Sequence, residues 1–368
     1  MAFDPNHLLQ RTLVIDRNRD IAFCHLKIVE ATADLLLPLM LKLANVEDTQ
    51  VTYLIPIDWA GDAVVLKKLG KNTILSTNPL GLGIRLTGEA REAGYRIAIE
   101  TDDLSATLGL ADFYLVPFNR LQRSSPDTIL TGVDTLDDLA HARDSGALYF
   151  DGMSPLDMPP LAEKPSINPA HATVLELIGA VQQEADPQVI EALFKKDVTL
   201  SFKLLRYINS PFFGLARRVE SVRHACSIIG YQQLFKWLSL LAATAGAAAS
   251  PALTQSAMIR ARLMELLGAR VMEKRDQDHL FITGMFSLLD HIMQVPMEQL
   301  LERANLPDAV TSALLEGEGR YAHILALAKA CEGAPLPEDG NFADIDAKAA
   351  NLAHIEAIEW AAGIAKSV

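Results

Sequence analysis

The chain has 368 residues, half of them hydrophobic, a formal charge of −13 at pH 7 and a pI of about 5.2. Such a length and composition can bury a sizeable core and predict about two domains. An acidic chain has no overall field that attracts nucleic acid, so we expect no nucleic-acid partner. The acidity is uneven: residues 1–152 hold 14 Lys/Arg against 21 Asp/Glu, whereas residues 173–334 hold 16 against 17.

No segment has the character of a membrane span or a secretion signal. The N-terminus MAFDPNHLLQR lacks an apolar signal-peptide core, and the apolar runs 35–44 and 238–249 are too short or too rich in alanine to cross a bilayer. Cys24, Cys226 and Cys331 lie far apart without C-x-x-C spacing, which is typical of free thiols in a reducing compartment. We therefore expect a cytoplasmic protein without membrane insertion.

The first part of the chain, residues 1–152, alternates short apolar runs with helical patterns. Eight runs have strand character: TLVID (12–16), IAFCHL (21–26), VTYLIPI (51–57), TILST (73–77), RIAIE (96–100), FYLVP (113–117), TILTGV (128–133) and ALYF (147–150). Helical patterns lie between several of them, at 61–70, 86–94 and 135–146. Strands that alternate with helices predict a mostly parallel sheet with crossover helices.

A proline-rich segment, residues 153–172, follows this α/β part. Five of the 18 prolines lie between Pro155 and Pro169. Proline fixes φ and removes a hydrogen-bond donor, so this composition predicts a semi-rigid linker.

Residues 173–334 have helical patterns throughout. Helix-start signals occur at Asp186-Pro187, at Thr199 and at Ser221. The run FITGMFSLLD (281–290) predicts one apolar-faced helix that is entered from a polar cap around Asp278.

The tail, residues 335–368, is rich in Pro, Asp and Gly before a final amphipathic stretch. Leu352, Ile355, Ile358 and Ala362 fall on one face of the predicted closing helix. We expect this helix to pack onto the helical part, and an exposed helix that binds a partner is the alternative.

Three segments of the helical part, INSPFF (208–213), ACSIIG (225–230) and FITGMFSLLD (281–290), follow one another in the order and spacing of a known module. They resemble the HDOD module, a helical relative of the metal-dependent HD phosphohydrolases in which the metal-binding residues are gone. The HD enzymes carry a His-Asp pair shortly after a Gly in the last segment. Counted from Gly284, the corresponding residues here are Ser287 and Leu288, and neither holds a divalent cation.

The helical part also lacks an alternative metal motif. None of its histidines forms an i, i+4 pair with another, and no H-E-x-x-H or H-x-x-E-H occurs; these histidines are His224, His279, His291 and His323. We expect structural or surface roles for them and no metal.

The first part resembles a shortened EAL domain, a TIM-barrel-like hydrolase that cleaves cyclic di-GMP with divalent metals. The segments VIDRNRDIAFCHLK, REAGYRIAIETDD, LADFYLVPFNRL and LYFDGMSP carry the resemblance. They cover roughly 150 residues, against about 250 in a full barrel, which implies missing or abbreviated strands or helices. The EAL catalytic positions would correspond to His25, Pro56, Ser76, Glu100, Thr101, Leu115, Pro117, Thr131 and Gly132.

Of these matched positions only Glu100 remains a potential metal ligand, whereas a two-metal phosphodiesterase needs several carboxylates in one site. Acidic residues do remain near the predicted strand ends. They either form a relocated cation site or cap helices and loops, as Asp commonly does; they are Asp58, Glu100, Asp102, Asp103, Asp134 and Asp151.

A candidate interaction surface surrounds the NSPFFG segment. Its members are Phe212, Phe213, Arg217, Arg218 and Arg223. Arginine and aromatic residues are frequent hot spots of interfaces, and clustered arginines also bind phosphate or acidic partners. The alternatives are that both phenylalanines belong to the core and that the arginines, with Arg206, pair with Asp197 and Glu220.

The sequence thus predicts a reduced, degenerate TIM-barrel-like α/β domain followed by an all-α HDOD domain. Both catalytic sets look lost, so we expect a non-catalytic signal-transduction regulator without a cofactor. The resemblance implies bacterial signalling partners, including components of two-component systems. A receptor that binds cyclic di-GMP or another nucleotide without turnover, and a residual metal-dependent phosphodiesterase, are the alternatives. The oligomeric state and the partner are left open.

Overall fold

A computed structural model describes residues 4–44, 51–121, 124–153, 156, 167–209, 219–244, 250–337 and 345–365. All eight runs with strand character form strands, and the strands close into one barrel in chain order. They are β1 (Gln10–Asp16), β2 (Ile21–Lys27), β3 (Tyr53–Pro56), β4 (Thr73–Thr77), β5 (Arg96–Glu100), β6 (Phe113–Pro117), β7 (Thr128–Thr131) and β8 (Tyr149–Asp151). Strands β2 to β8 are parallel, and β1 is antiparallel to both of its neighbours.

The abbreviation that the sequence predicted falls on the helices and leaves the number of strands intact. The helices between the strands are α1 (Ala33–Ala44), α2 (Ala63–Leu66), α3 (Arg85–Glu92), α4 (Leu104–Thr107) and α5 (Leu136–Arg143). Two of them, α2 and α4, have only 4 residues each. Between β6 and β7 the described residues contain only a 3₁₀ turn, Phe118–Arg120. Single turns need fewer residues than full crossover helices, which is how a closed barrel fits into about 150 residues.

The barrel interior is filled by side chains that alternate along the strands. Its core consists of Val14, Phe23, Leu54, Ile74, Ala98, Phe113, Leu115 and Ile129. The rings of Phe23 and Phe113 pack edge to face with centroids 5.3 Å apart, and Tyr149 contacts both. Because successive side chains of a strand point to opposite faces, the period of two already separates this interior from the outer faces.

The second part of the described chain is helical, as predicted. Its helices are α6 (Pro169–Gln182), α7 (Pro187–Lys195), α8 (Val198–Ile208), α9 (Val222–Thr244), α10 (Pro251–Val271), α11 (Lys274–Phe286), α12 (Leu289–Met293), α13 (Met297–Ala304), α14 (Asp308–Leu315), α15 (Arg320–Ala330) and α16 (Ala347–Ala365). The linker predicted at 153–172 lies largely outside the described residues, and α6 begins within it at Pro169. No helix in the part of the chain that the structure describes is long and apolar enough to cross a bilayer.

Two details of the predicted helices were wrong. The segment 281–290 is not one helix entered near Asp278: α11 begins at Lys274 and ends at Phe286, and α12 starts after a break at Ser287 and Leu288. Asp197, not Thr199, caps α8, because its carboxylate accepts the backbone N–H groups of Thr199 and Leu200. The signals at Asp186 and Ser221 are confirmed by capping hydrogen bonds to Gln188 and His224.

The closing helix α16 joins the two parts of the molecule. It packs against α10 of the helical part, as predicted, and also against α1 of the barrel. Ile355 and Ile358 are buried in this position. The exposed partner-binding alternative for this helix is therefore wrong, and the packing against the barrel was not anticipated.

Candidate functional site

Most of the matched positions lie at the mouth of the barrel, whereas Leu115 belongs to its filled interior. The carboxyl ends of parallel strands meet at the mouth, where barrel enzymes place their chemistry. Leu54, Ile74, Ala98 and Ile129 fill the interior. Residues two positions later along a strand point to the same side, one layer higher. That layer consists of Pro56, Ser76, Glu100 and Thr131. Thr131 lies between Pro117 on one neighbouring strand, β6, and Asp151 on the other, β8.

The layer holds one acidic side chain that is fully buried, Asp151. Its Oδ2 atom lies 2.6 Å from His25 Nδ1 and 3.6 Å from Lys27 Nζ. The Thr12 hydroxyl donates a hydrogen bond to its other carboxylate oxygen. Asp151 and His25 are 1% and 3% exposed, so the pair is not open to a substrate. The contacts join β1 and β2 to β8 where the barrel closes.

The lowered pKa of Asp151 shows that its neighbours stabilise the buried negative charge. Burial alone would raise the pKa of a carboxyl, but the charge and hydrogen bond of His25, with contributions from Lys27 and Thr12, hold it well below the ordinary value. The carboxylate is therefore ionised at neutral pH with its oxygens already engaged.

The remaining acidic residues near the strand ends have local contacts. Glu100 accepts a hydrogen bond from Ser76 at 3.2 Å. Asp103 caps α4, Asp134 accepts the backbone N–H of Met153, and Asp102 pairs with Arg120. Asp58 is exposed in a 3₁₀ turn.

Among the described residues, one group of at least three His, Cys, Asp or Glu side chains has its ligand atoms within 4.8 Å of one another: Asp4, His7 and Glu30. This group lies before β1 and after β2, and it contains none of the acidic residues predicted at the strand ends. Of the two interpretations of the acidic residues near the strand ends, helix capping accounts for the contacts of Asp103. No cluster of carboxylates forms at the described part of the mouth.

In the helical part, the guanidinium of Arg260 lies next to Ser287. Arg260 Nη1 donates to Ser287 Oγ at 2.7 Å, and its Nη2 and Nε donate to the two oxygens of Glu332 at 2.5 and 3.3 Å. Gly284 permits this approach, because a Cβ there would stand 2.6 Å from Ala261 Cα on α10. Leu288, at the other of the two positions, is buried.

Two described histidines of the helical part, His279 and His291, contact protein groups. His279 lies 3.2 Å from the Tyr321 hydroxyl and 3.3 Å from the Gln182 amide. The imidazole of His291 is 3.5 Å from the carboxylate of its neighbour Asp290. A structural role for both is consistent with these contacts.

Four members of the candidate interaction surface, Phe212, Phe213, Arg217 and Arg218, lie outside the described residues. The fifth, Arg223, donates from Nε and Nη2 to one oxygen of Glu191, at 2.9 and 2.7 Å. Arg223 is therefore paired, but with Glu191 and not with Asp197 or Glu220, the partners that the alternative named.

Residues 165–315 match the family model of the HDOD domain. This part of the chain is an HDOD domain. The match does not extend to the barrel, so the likeness of the barrel to EAL domains stays a prediction.

Two curated relatives are similar to the chain. The cyclic di-GMP phosphodiesterase CdgJ of Vibrio cholerae is 31% identical over 204 residues, which are 55% of this chain and 47% of CdgJ. The uncharacterized protein YuxH of Bacillus subtilis is 24% identical over 302 residues, which are 74% of this chain and 73% of YuxH. The chain therefore spans about half the length of CdgJ and about three quarters of YuxH.

Two solved structures are also similar. An HDOD domain protein of unknown function from Geobacter sulfurreducens has a TM-score of 0.32 and 16% identity, over 47% of this chain and 73% of that one. A candidate signal transduction protein from Marinobacter aquaeolei has a TM-score of 0.40 and 14% identity, over 99% of this chain and 94% of that one.

The sequence reasoning missed the residues that connect the barrel with the HDOD domain. Arg11, Arg260 and Glu332 come together across up to 321 positions of the chain. Their only signal in the sequence is that Arg11 and Arg260 stand among apolar residues, at positions that the strand and helix periods assign to buried faces.

Proposed function

We propose that this protein is a non-catalytic signalling regulator, in which a degenerate EAL-like barrel and an HDOD domain act through contacts with other proteins. The observation that carries the proposal is the composition of the barrel mouth. Pro56, Ser76, Leu115 and Pro117 stand at matched catalytic positions, and the buried acid Asp151 is already engaged by His25, Lys27 and Thr12.

A two-metal hydrolysis needs carboxylates that hold both ions and a space in which water attacks the phosphate. Glu100 is an acidic side chain that remains at a matched position, and its described contact is with Ser76. Asp151 is 1% exposed. This arrangement supports loss of turnover, although the relative CdgJ carries the name of a cyclic di-GMP phosphodiesterase.

Hydrolysis is tested directly by incubating the purified chain with cyclic di-GMP and excess Mg²⁺ or Mn²⁺ and separating the products by chromatography. We expect no turnover above background. Turnover that disappears in Glu100→Ala, but persists in the control Glu92→Ala on the exposed end of α3, would show that the barrel is a residual phosphodiesterase.

Calorimetric titration with cyclic di-GMP tests the remaining alternative, a receptor that binds the nucleotide without turnover. Stoichiometric binding without turnover would replace the regulator proposal with a nucleotide receptor. We expect no binding, because Pro56 and Pro117 offer no polar side chain at the mouth and the carboxylate of Asp151 is already engaged by His25, Lys27 and Thr12.

The partners that we propose are bacterial signalling proteins, including two-component components. The candidate interaction surface defined from the sequence supplies the test. We expect Arg217→Glu with Arg218→Glu to weaken capture of partners from the native host while leaving the Tm nearly unchanged. The control Arg85→Glu alters an exposed arginine of the barrel. Full-strength capture by the double variant would show that the docking face lies elsewhere.

A further inference from the structure

The first strand of the barrel presents its outer face to the helical part. Leu9, Arg11 and Leu13 point away from the barrel interior, because Val14 points inward. Arg11 Nη2 donates to Glu332 Oε1 at 3.2 Å, and Arg260 of α10 donates to both oxygens of the same carboxylate. We name Arg11, Arg260 and Glu332 the charged joint. All three are at most 4% exposed.

The charged joint is not balanced. Two guanidinium groups share one carboxylate, and among the described residues Nε and Nη1 of Arg11 have no hydrogen-bond partner. Lys329 lies close enough to Arg260, Glu332 and Asp290 for their charges to affect its pKa, and Lys329 and Asp290 themselves carry opposite charges. Burial, with a further effect of Arg11, lowers the pKa of His354 to about 3, so this imidazole stays neutral. Among the described residues, a surplus of one positive charge therefore remains.

The described residues leave a small pocket, partly open to solvent, beside Arg11. This pocket lies next to Ser256 and Gly152 and has a volume of about 10 Å³. The volume corresponds to about one water molecule, which can accept a hydrogen bond but carries no charge. Among the described residues, Arg11 forms an ion pair with Glu332 alone, and sharing that carboxylate with Arg260 costs free energy in the closed arrangement.

Further polar contacts of this interface join the start of β1 to α16 and to the carbonyl of Cys331, and Lys42 of α1 pairs with Glu359 of α16. Asn351 Oδ1 accepts the backbone N–H of Leu9 at 2.7 Å, and its Nδ2 donates to the carbonyl of His7 at 3.0 Å. His354 Nδ1 lies 3.1 Å from the Leu9 carbonyl. Water can replace each of these partners when the surfaces separate, so such bonds add little net free energy to the closed state.

The interface also borders a cleft that is about half open to solvent. This cleft has a volume of about 190 Å³, lies between β1, β2 and the helices α10 and α16, and is lined by residues that include Leu13, Phe23 and Gln255. Apolar side chains of both parts, such as Leu9, Ile355 and Ile358, belong to one continuous core. Apolar burial therefore holds the interface closed, while the surplus charge of Arg11 opposes closure.

We propose that the barrel is a releasable cover on the α10–α16 face of the helical part, and that the surplus charge of Arg11 sets how readily it opens. When the surfaces separate, Arg260 keeps Glu332 and Ser287 as partners within the helical part, whereas Arg11 leaves with the barrel and becomes hydrated. The Arg260–Glu332 pair that remains in the helical part is balanced in charge. Arg11, whose Nε and Nη1 have no hydrogen-bond partner among the described residues, is the group that leaves.

This device predicts opposite effects for two substitutions in the charged joint. Arg11→Met keeps an apolar side chain at the interface and leaves Arg260 and Glu332 as a balanced pair, so it should favour closure. Glu332→Gln leaves two buried guanidiniums without a counterion, so it should favour opening. Replacing buried charge by apolar side chains of similar size is often neutral or stabilising, whereas removing one partner is destabilising.

The opening is measured by electron spin resonance distances in the full chain. Nitroxide labels are placed at Asp137→Cys on α5 and Glu302→Cys on α13, both exposed positions, in a background with Cys226→Ser. We expect Glu332→Gln to increase the population at long distance several-fold. Arg11→Met should decrease it and raise the Tm, and the control Arg120→Met, which removes an exposed pair with Asp102, should change neither.

Two outcomes would overturn the proposal: opening by Arg11→Met in the same direction as by Glu332→Gln, or an unchanged distance distribution in both variants. If Glu332→Gln does not fold, the sign of the shift in Arg11→Met decides alone. Neither result depends on whether the barrel hydrolyses or binds cyclic di-GMP, so failure here and failure of the proposed function are distinguishable.

Discussion

The barrel mouth and the charged joint both bury acidic and basic groups, but they balance charge differently. At the mouth, the carboxylate of Asp151 contacts the buried His25 and Thr12, and the second basic side chain, Lys27, is half exposed, so that water solvates its charge. At the charged joint, the carboxylate of Glu332 alone serves two guanidiniums. A buried ion with complete compensation fixes a structure, whereas one with incomplete compensation weakens it. We therefore expect the contacts of Asp151 to hold the barrel closed, and the proposed release to occur at the attachment of the barrel to the helical part.

The first test breaks the balanced site. Asp151→Ala removes the acceptor from His25, Lys27 and Thr12, and we expect the free energy of unfolding to fall by about 3 to 5 kcal/mol at pH 7. Because its folded-state pKa is depressed, Asp151 contributes stability above its unfolded pKa of about 3.9 and loses it as the pH falls through the folded value. The difference between the two proteins should therefore shrink below about pH 4.

Urea denaturation at several pH values measures this effect. The control is Asp137→Ala, because that side chain is 86% exposed on α5, and we expect it to change stability by less than about 0.5 kcal/mol. An equal, small loss in both variants would mean that the mouth is not held by Asp151.

The second test displaces α11, the helix that packs against α10 next to Arg260 of the charged joint. In Gly284→Ala, the new Cβ would lie 2.6 to 2.9 Å from backbone atoms of Arg260 and Ala261. We expect α11 to shift away from α10, which separates Ser287 from Arg260, at a cost of about 1 to 3 kcal/mol. The matched control is Gly88→Ala in α3, where no atom lies within 4 Å; it should stabilise by about 0.5 to 1 kcal/mol. Equal effects of both variants would contradict the close approach.

The third test uses pH at the interface next to the charged joint. Burial, with a further effect of Arg11, lowers the pKa of His354 to about 3. The unfolded chain binds a proton near pH 6.5, so it holds more protons than the folded chain between these values, and stability must fall as the pH falls. The expected loss is about 1.4 kcal/mol per pH unit below 6.5.

Denaturation midpoints at pH 7.5, 6 and 5 measure this slope. His354→Gln should flatten it, because the amide does not titrate. His141→Gln, at a side chain that is 71% exposed, should leave the slope unchanged. If both variants keep the slope of the parent protein, another group is responsible for the acid sensitivity.

The smallest expected effect is that of an exposed pair. Arg223→Gln removes the ion pair with Glu191, and the Arg223 side chain is 57% exposed in that pair. We expect a loss of about 0.2 to 1 kcal/mol that diminishes in high salt. A larger, salt-independent loss would mean that exposed pairs hold the HDOD domain as firmly as Asp151 holds the barrel.

The strand pattern shows how far the sequence predicts the candidate site. Residues that alternate in the eight apolar runs place Pro56, Ser76 and Glu100 on the inner side of the barrel, and the structure places them there. The reason is local: the side-chain period of two operates within each strand, whatever its neighbours are. For the same reason the helix break at Ser287 was missed, since the helical period continues through it in sequence although the chain turns.

By itself, the amino-acid sequence predicted the eight strand-forming runs, the change to helices and the identity of the residues at the mouth. These properties depend on patterns within a few residues. Only the tertiary structure decided that Arg11, 321 positions from Glu332, meets that carboxylate together with Arg260. No local period encodes such a contact, because it depends on how a completed barrel and a completed helical part pack against each other.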